Sequence, residues 1–206
     1  MMGRCVIVGA GEVYSRVSVM PGDFVIAADG GYMHLNKMGI VPDVLIGDFD
    51  SISEIPDLEG VEIIRHKVEK DETDMYLAYK IGADRGFDKF YVYGGVGGRE
   101  DHTFANYCLL LGAIEEGNRV FLMAEKHKSF VIKNEKVKIK SDAGKGISVF
   151  AFGSDAEGVS IKGLKYEAEN ITLKCSYPLG VSNSFKENSD AEISVLNGAL
   201  LIMQEI

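Results

Sequence analysis

Phe90-Tyr-Val-Tyr-Gly-Gly-Val-Gly-Gly-Arg-Glu-Asp-His102 decides how the first half of this chain is read. A short β-branched and aromatic run ends in a glycine-rich turn. Phe104, Cys108 and Leu111 then recur at helical spacing, in a helix expected to start near Asp101 and to pack on a sheet. Strand, tight loop and helix in that order are the unit from which α/β sheets are built. Working outward, the same kind of run appears at Cys5-Val-Ile-Val8, Phe24-Val-Ile-Ala-Ala28, Val44-Leu-Ile46, Val61-Glu-Ile-Ile64 and Val120-Phe-Leu-Met123. Continuous apolar runs of this length suit strands buried on both faces, as parallel sheets require. Met75, Ala78, Tyr79 and Gly82 mark a further helix starting near Thr73. A mostly parallel sheet with flanking helices is therefore expected over residues 1–126.

Past Lys126 the period falls to two, in Val137-Lys-Ile-Lys140, Ile147-Ser-Val-Phe-Ala151, Val159-Ser-Ile-Lys162, Ile171-Thr-Leu-Lys174 and Glu192-Ile-Ser-Val195. Alternation of this kind marks half-buried antiparallel strands. Turn residues at Asp142-Ala-Gly144, Gly153-Ser-Asp155 and Pro178-Leu-Gly180 separate them at short intervals. Residues 127–206 thus read as a small antiparallel β-sandwich, and the fold class as α/β followed by all-β.

Composition removes several function classes. The 206 residues carry 22 Lys or Arg against 31 Asp or Glu, a formal charge of −9. Without a dense basic run, affinity gained by neutralising nucleic-acid phosphates is not expected. The longest apolar run, Cys108 to Ile114, falls far short of the roughly 20 residues that cross a bilayer, so no membrane partner is expected. Residues 1–11 read as a first strand and not as a secretion signal, since Glu12 interrupts the apolar run. Three cysteines, Cys5, Cys108 and Cys175, form no C-x-x-C pair and suit a reducing cytoplasm, each as a small buried hydrophobe. The four histidines form no cluster with each other or with cysteine, which disfavours zinc. Any metal would have to be held by oxygen.

Four strand ends are rich in carboxylates or glycines: Ala28-Asp29-Gly30-Gly31, Gly47-Asp48-Phe49-Asp50-Ser51, Lys70-Asp71-Glu72-Thr73-Asp74, and Gly94 to His102. In a parallel sheet all four share one edge, where ligand crevices form. Asp48 and Asp50 leave an extended segment on the same side, where two bare carboxylates repel unless a cation lies between them. Oxygen-only ligation with room for water and phosphate suits Mg²⁺. Taken singly, each acidic pair reads more readily as a turn or helix cap than as a metal site, with Asp71 or Thr73 as the cap in the second case. Their coincidence on one edge favours a site. The glycine run leading into Arg99 offers backbone N–H groups, a helix N-terminus and a guanidinium to an anion such as phosphate. Gly9-Ala-Gly11 starts a dinucleotide fingerprint, with Asp29 at the distance of its ribose ligand, but Tyr14 occupies the third glycine position, and no P-loop sequence is present. A nucleotide whose phosphates are held through Mg²⁺ fits better.

Together A-D-G-G at 28–31, P-D-V-L-I-G-D-F-D-S at 42–51, K-D-E-T-D at 70–74 and G-G-V-G-G-R-E-D-H at 94–102 closely resemble the thiamine pyrophosphokinase family. Gly163-Leu-Lys-Tyr166 and Gly180-Val-Ser-Asn183 look like that family's thiamine-side motifs, so the resemblance covers nearly the whole chain. It implies a nucleotide-binding catalytic domain over 1–126 and a thiamine-binding sandwich over 127–206, usually in a homodimer with sites formed between subunits. The implied reaction moves the diphosphate of ATP onto the hydroxyl of thiamine, giving thiamine diphosphate and AMP. By the same resemblance Asp48, Asp50 and Asp74 are the Mg²⁺-binding carboxylates, with Asp71 beside them and Thr73 near the phosphates. Asp29 with Gly30, Arg99, Asp101 and His102 match positions lining the nucleotide and reaction cleft, and Tyr166, Ser182 and Asn183 match the thiamine end. Asp101 and Asp74 are both candidates for a general base. Where many family members carry Trp, this chain has Tyr166 and no Trp anywhere, which reduces the aromatic face open to a substrate. Three other readings stay open: a diphosphokinase of another heterocyclic alcohol, a haloacid-dehalogenase-type phosphatase using Asp48 and Asp50, and a nucleotide-binding module without turnover.

Overall fold

Cys5–Val8 forms strand β1, four consecutive buried residues at the centre of a parallel sheet. The computed structural model describes residues 3–13, 16–49, 59–65 and 71–206. They divide into two units, Met1–Leu110 with Gly117–Glu125, and Leu111–Glu116 with Lys126–Ile206.

Through the first unit β1 is followed by β2 (Phe24–Ala28), α1 (Gly31–Lys37), β3 (Val44–Gly47), β4 (Glu62–Arg65), α2 (Asp74–Asp84), β5 (Lys89–Tyr93), α3 (Glu100–Glu115, whose end from Leu111 is counted with the second unit) and β6 (Arg119–Met123). The six strands pair in parallel in the order β6-β5-β1-β2-β3-β4. The chain thus starts in the middle, builds outward to β4, and crosses to the other side of β1 for β5 and β6. Strand order reverses at β1, and the carboxyl ends around it are where such sheets keep their crevice.

One face of the sheet packs Val6, Val8, Val25, Ala27 and Leu45 against Tyr32 and Leu35 of α1. On the other face α2 buries Met75, Ala78, Tyr79 and Gly82, the stripe anticipated from spacing. Tyr79 tilts onto Phe90 with ring centres 4.9 Å apart. Gly82 lets the helix settle there: a Cβ at that position would stand 2.6 Å from the Phe90 ring and 2.9 Å from Cys5 Sγ. Each large apolar side chain buried in this way contributes about 1.5–3 kcal/mol.

Four expectations need correction. Strand β4 is not buried on both faces: Glu62, Ile63 and Arg65 are exposed, because the described sheet ends there. Of Phe104, Cys108 and Leu111 on helix α3, the first two are exposed and only Leu111 is half-buried. The buried residues of α3 are Asn106, Leu109, Leu110 and Ala113, while Phe104 is 64% exposed. The helix is apolar on two sides, and the other one is buried. Of the cysteines only Cys5 is buried; Cys108 and Cys175 are exposed, the first because of that helix orientation. Finally, α1 was not anticipated, its seven residues being too few to show a helical period.

The second unit contains β7 (His127–Lys133), β8 (Lys136–Ile139), β9 (Gly146–Ala151), β10 (Ala156–Lys162), β11 (Ala168–Leu173), β12 (Asn183–Ser184), β13 (Ala191–Ser194) and β14 (Ala199–Glu205). They pair antiparallel in the orders β12-β9-β14-β7 and β11-β10-β13-β8. Alternation holds where it was expected: Ile147, Val149 and Ala151 of β9 are buried with half-buried residues between them, as are Ala191 and Ile193 of β13. Strands β7 and β14 show no alternation, because both carry continuous buried runs, Ser129–Ile132 and Ala199–Ile202. Among the described residues no helix is long and apolar enough to cross a membrane.

Candidate active site

The floor of the site is backbone. Gly9 N donates to Tyr93 O at 2.8 Å and Gly11 N to Gly94 O at 3.0 Å, so the turns leaving β1 and β5 lie against each other. Only glycine permits this approach: a Cβ on Gly11 would stand 2.5 Å from Gly94 O, and one on Gly94, already at φ +65°, 2.4 Å from Gly9 O. Gly9-Ala-Gly11 is therefore a close-contact device between neighbouring strand ends.

Around this floor opens a cleft of about 680 Å³. Its walls bring together Asp29 after β2, Asp48 after β3, Asp71, Glu72, Thr73 and Asp74 at the start of α2, and the glycine loop with Arg99 and His102 after β5. Seven of the residues singled out from sequence thus share one cavity: Asp29, Asp48, Asp71, Thr73, Asp74, Arg99 and His102. Gly30 and Asp101 are not among its lining residues. Gly30 is the N-cap of α1, and Asp101 is turned to Arg99. Asp50 lies outside the described residues, as do Ser51 and Lys70.

Local backbone geometry aims these groups. Asp29 sits at φ +49° and donates its N–H to Ile46 O at 2.7 Å, bending the end of β2 against that of β3. Phe49, directly after Asp48, has φ +61° yet is buried, with the Arg65 guanidinium 5.6 Å from its ring centre. A bulky residue in the left-handed region costs on the order of 1–3 kcal/mol and persists only when packing holds it. Thr73 caps α2 by accepting from Tyr76 N at 3.2 Å. Asp74, in the first turn, lies where the helix dipole favours negative charge. Capping and a place in the cleft therefore coincide in this segment.

Arg99 and Asp101 form a two-pronged pair, Nε to Oδ1 at 3.1 Å and NH2 to Oδ2 at 2.7 Å, and Asp101 Oδ1 also accepts from His102 N at 2.9 Å. The hydrogen bonds from Arg99 hold the Asp101 carboxyl down at about 2, aided by the His102 N–H and opposed by partial desolvation. Arg99, for its part, is raised by the hydrogen bonds to Asp101.

Metal binding depends on the donor set. Among the described residues no three His, Cys, Asp or Glu side chains converge closely enough to hold an ion by themselves. Asp48, Asp71 and Asp74 nevertheless face one cleft with oxygen donors only. Mg²⁺ typically keeps several waters and takes one or two carboxylates plus substrate phosphates. The chemistry of these residues fits that mode.

In the second unit lie Tyr166, Ser182 and Asn183, the residues the resemblance matches to the thiamine end. Asn183 is buried, and its carboxamide grips the backbone of Tyr166, accepting from Tyr166 N at 3.0 Å and donating to Tyr166 O at 2.7 Å. Tyr166 itself is 61% exposed, with Lys165 Nζ 5.3 Å from its ring centre. Ser182, at φ +59°, is exposed and donates its N–H to Ser148 Oγ at 3.1 Å. Asn183 thus presents Tyr166 and does not itself project into solvent.

Sequence reasoning missed Asn106. This residue of α3 is 7% exposed, lines the cleft, and donates from Nδ2 to Gly95 O at 2.8 Å. The available signal was a polar residue in register with Leu109, Leu110 and Ala113, which a purely apolar helix face would exclude.

A parallel sheet with glycines and carboxylates lining a crevice at its switch point, followed by an antiparallel β unit, defines a two-part α/β plus all-β protein with the makeup of a phosphate-binding site. The chain belongs to the thiamin pyrophosphokinase family: residues 19–122 match that family's catalytic domain and residues 134–200 its vitamin B1 binding domain. Thiamine pyrophosphokinase of Bacillus subtilis is 28% identical over 185 residues, 87% of this chain and 86% of that protein. The crystal structure of thiamine pyrophosphokinase from Bacillus subtilis superposes with a TM-score of 0.89 at 24% identity, over 98% of each chain. That of thiamin pyrophosphokinase from Geobacillus thermodenitrificans gives 0.86 at 23% identity, over 98% of this chain and 97% of the other. The expected fold class is borne out by both.

Proposed function

We propose that this protein transfers the diphosphate of ATP to the primary hydroxyl of thiamine in a Mg²⁺-dependent reaction, giving thiamine diphosphate and AMP. The observation that carries the reading is the single cleft uniting Asp48, Asp71 and Asp74 with the glycine loop and Arg99, in a chain that matches both parts of the family. The hydroxyl oxygen attacks the β-phosphorus, the bond from that phosphorus to the α,β-bridging oxygen breaks, and AMP departs with the bond's electrons. The hydroxyl proton is released to water. Such transfers need in-line positioning and neutralisation of phosphate charge more than covalent help.

In this reading residues 1–126 bind the nucleotide and residues 127–206 the thiamine. Asp48, Asp50 and Asp74, with Asp71 beside them, hold Mg²⁺, which supplies charge neutralisation on the phosphate oxygens. The glycine loop cradles the phosphates, Arg99 binds one of them, and Asp29, Gly30, Thr73 and His102 line or support the nucleotide site. Asp101, paired with Arg99, orients the guanidinium. Tyr166 offers an aromatic face to the thiamine cation, Asn183 fixes its backbone, and Ser182 lies beside it. The protein acts as a cytoplasmic homodimer, a reading supported by family resemblance and by exposed thiols that a reducing compartment keeps reduced.

Incubation of the purified protein with Mg²⁺, ATP and thiamine should yield AMP and thiamine diphosphate in equal amounts. Release of ADP overturns the diphosphate transfer, and release of inorganic phosphate alone points to the phosphatase chemistry set out above.

A further inference from the structure

A loop that holds phosphates must turn its peptide N–H groups toward them and its carbonyls away, because a carbonyl dipole aimed at an anion repels it. In the segment after β5 the Gly94 carbonyl is taken by Gly11 N–H, and the next one is held by a side chain. Gly95 O accepts from Nδ2 of the buried Asn106 at 2.8 Å. Because the partner is a carbonyl, only the NH₂ end of the carboxamide can face it, which fixes the orientation of the amide. The Gly95–Val96 peptide is trans, so the Val96 N–H points opposite to the anchored carbonyl, away from α3. Space for the contact exists because residue 95 is glycine: a Cβ there would stand 2.8 Å from Leu122 and 3.2 Å from Asn106 Nδ2. The neighbours Gly94, Gly97 and Gly98 have φ of +65°, +90° and +68°, conformations that other residues resist.

We infer that Asn106 is a positioning residue of the nucleotide site, turning the Gly95 carbonyl into the protein so that the glycine loop presents its N–H side to the β- and γ-phosphates. The inference rests on the proposed ATP-dependent function and adds to it a residue that touches the loop and acts through it. Hydrogen bonds from a fixed loop to phosphate are charge-assisted and among the stronger ones available. A loop free to rotate that peptide would lose them without losing the fold.

The test compares wild type with Asn106→Ala, Asn106→Asp and Asn106→Ser. The aspartate variant keeps the size of the side chain but sets an oxygen against the Gly95 carbonyl; the serine variant keeps an O–H donor. Binding of α,β-methylene-ATP with Mg²⁺ is measured by calorimetry, alongside KM for ATP, KM for thiamine and the thermal midpoint. Expected is a weakening of analogue binding and a rise in KM for ATP of about tenfold for the alanine and aspartate variants, the scale of one charge-assisted hydrogen bond. KM for thiamine should stay within about twofold of wild type, and the serine variant should recover part of the loss. Folded variants that bind the analogue as wild type does overturn the inference alone. So do constants for ATP and thiamine that worsen together with a lowered midpoint. A wild-type protein that binds no analogue overturns the nucleotide reading, and the inference with it.

Discussion

Asp48 occupies the most constrained position of the cleft. Gly47 before it gives way to Asp29, since a Cβ there would stand 3.1 Å from Asp29 Cα, and Phe49 after it is buried in the left-handed region. The carboxylate is thus aimed by its neighbours' backbone and not by its own rotamer alone. Replacement by asparagine keeps the shape and removes the charge. Asp48→Asn should lower kcat by on the order of a hundredfold or more, the loss of several kcal/mol of transition-state stabilisation, while leaving the circular dichroism spectrum unchanged. Wild-type turnover in that variant would remove Asp48 from the metal-binding set. Legibility at this scale was uneven. Asp48, Asp71 and Asp74 were readable because each lies beside a strand end or helix start marked by local chemistry. Asn106 was not, because its partner Gly95 lies eleven residues away across a turn whose path only the packed sheet fixes.

At the scale of elements, the junction of β2 and α1 shows what glycine does here. Gly31, the first residue of α1, has no room for a side chain: a Cβ would stand 1.9 Å from Val8 O and 2.5 Å from Val8 C. The obstacle is backbone of the central strand, so it cannot rotate away. Gly31→Ala should lower stability by about 1–3 kcal/mol or more, read as a lower urea midpoint. Gly112 is the counter-case, exposed within α3, with open space around an added Cβ and no positive φ. Gly112→Ala should raise the midpoint, worth about 0.5–1 kcal/mol. Equal effects of the two substitutions would mean that propensity and not contact governs both sites. The orientation of α3 belongs to this scale too. Phe104, Cys108 and Leu111 form as good a stripe as Leu109, Leu110 and Ala113, so periodicity alone admits two answers, and burial in the folded chain chooses between them.

For the whole molecule the three thiols report on the described architecture. Cys5 is fully buried in the central strand, and burial pushes its thiol up to about 12, with Arg85 acting weakly in the other direction. Cys108 on α3 and Cys175 after β11 are exposed. Titration of native protein with Ellman's reagent near pH 8 should therefore modify two thiols quickly. The third should react only in denaturant, because thiolate character and access both govern the rate. Three fast thiols in the native state would contradict the central position of β1.

By itself the sequence determined the strand runs, the change of period after Lys126, the glycine loop and the acidic strand ends. Each of these follows from interactions within a few residues: side-chain alternation, cap chemistry, and the backbone freedom of glycine. Tertiary structure alone decided which face of α3 is buried, that Gly9 and Gly11 lie against Gly94, and that Asn106 holds the carbonyl of Gly95. Continuous buried strands such as β14 belong with these, since burial on both faces erases the alternation that would announce them. The physical reason is that these features depend on residues distant in the chain, whose contacts repay the entropy of closing the intervening loops only once the strands have paired.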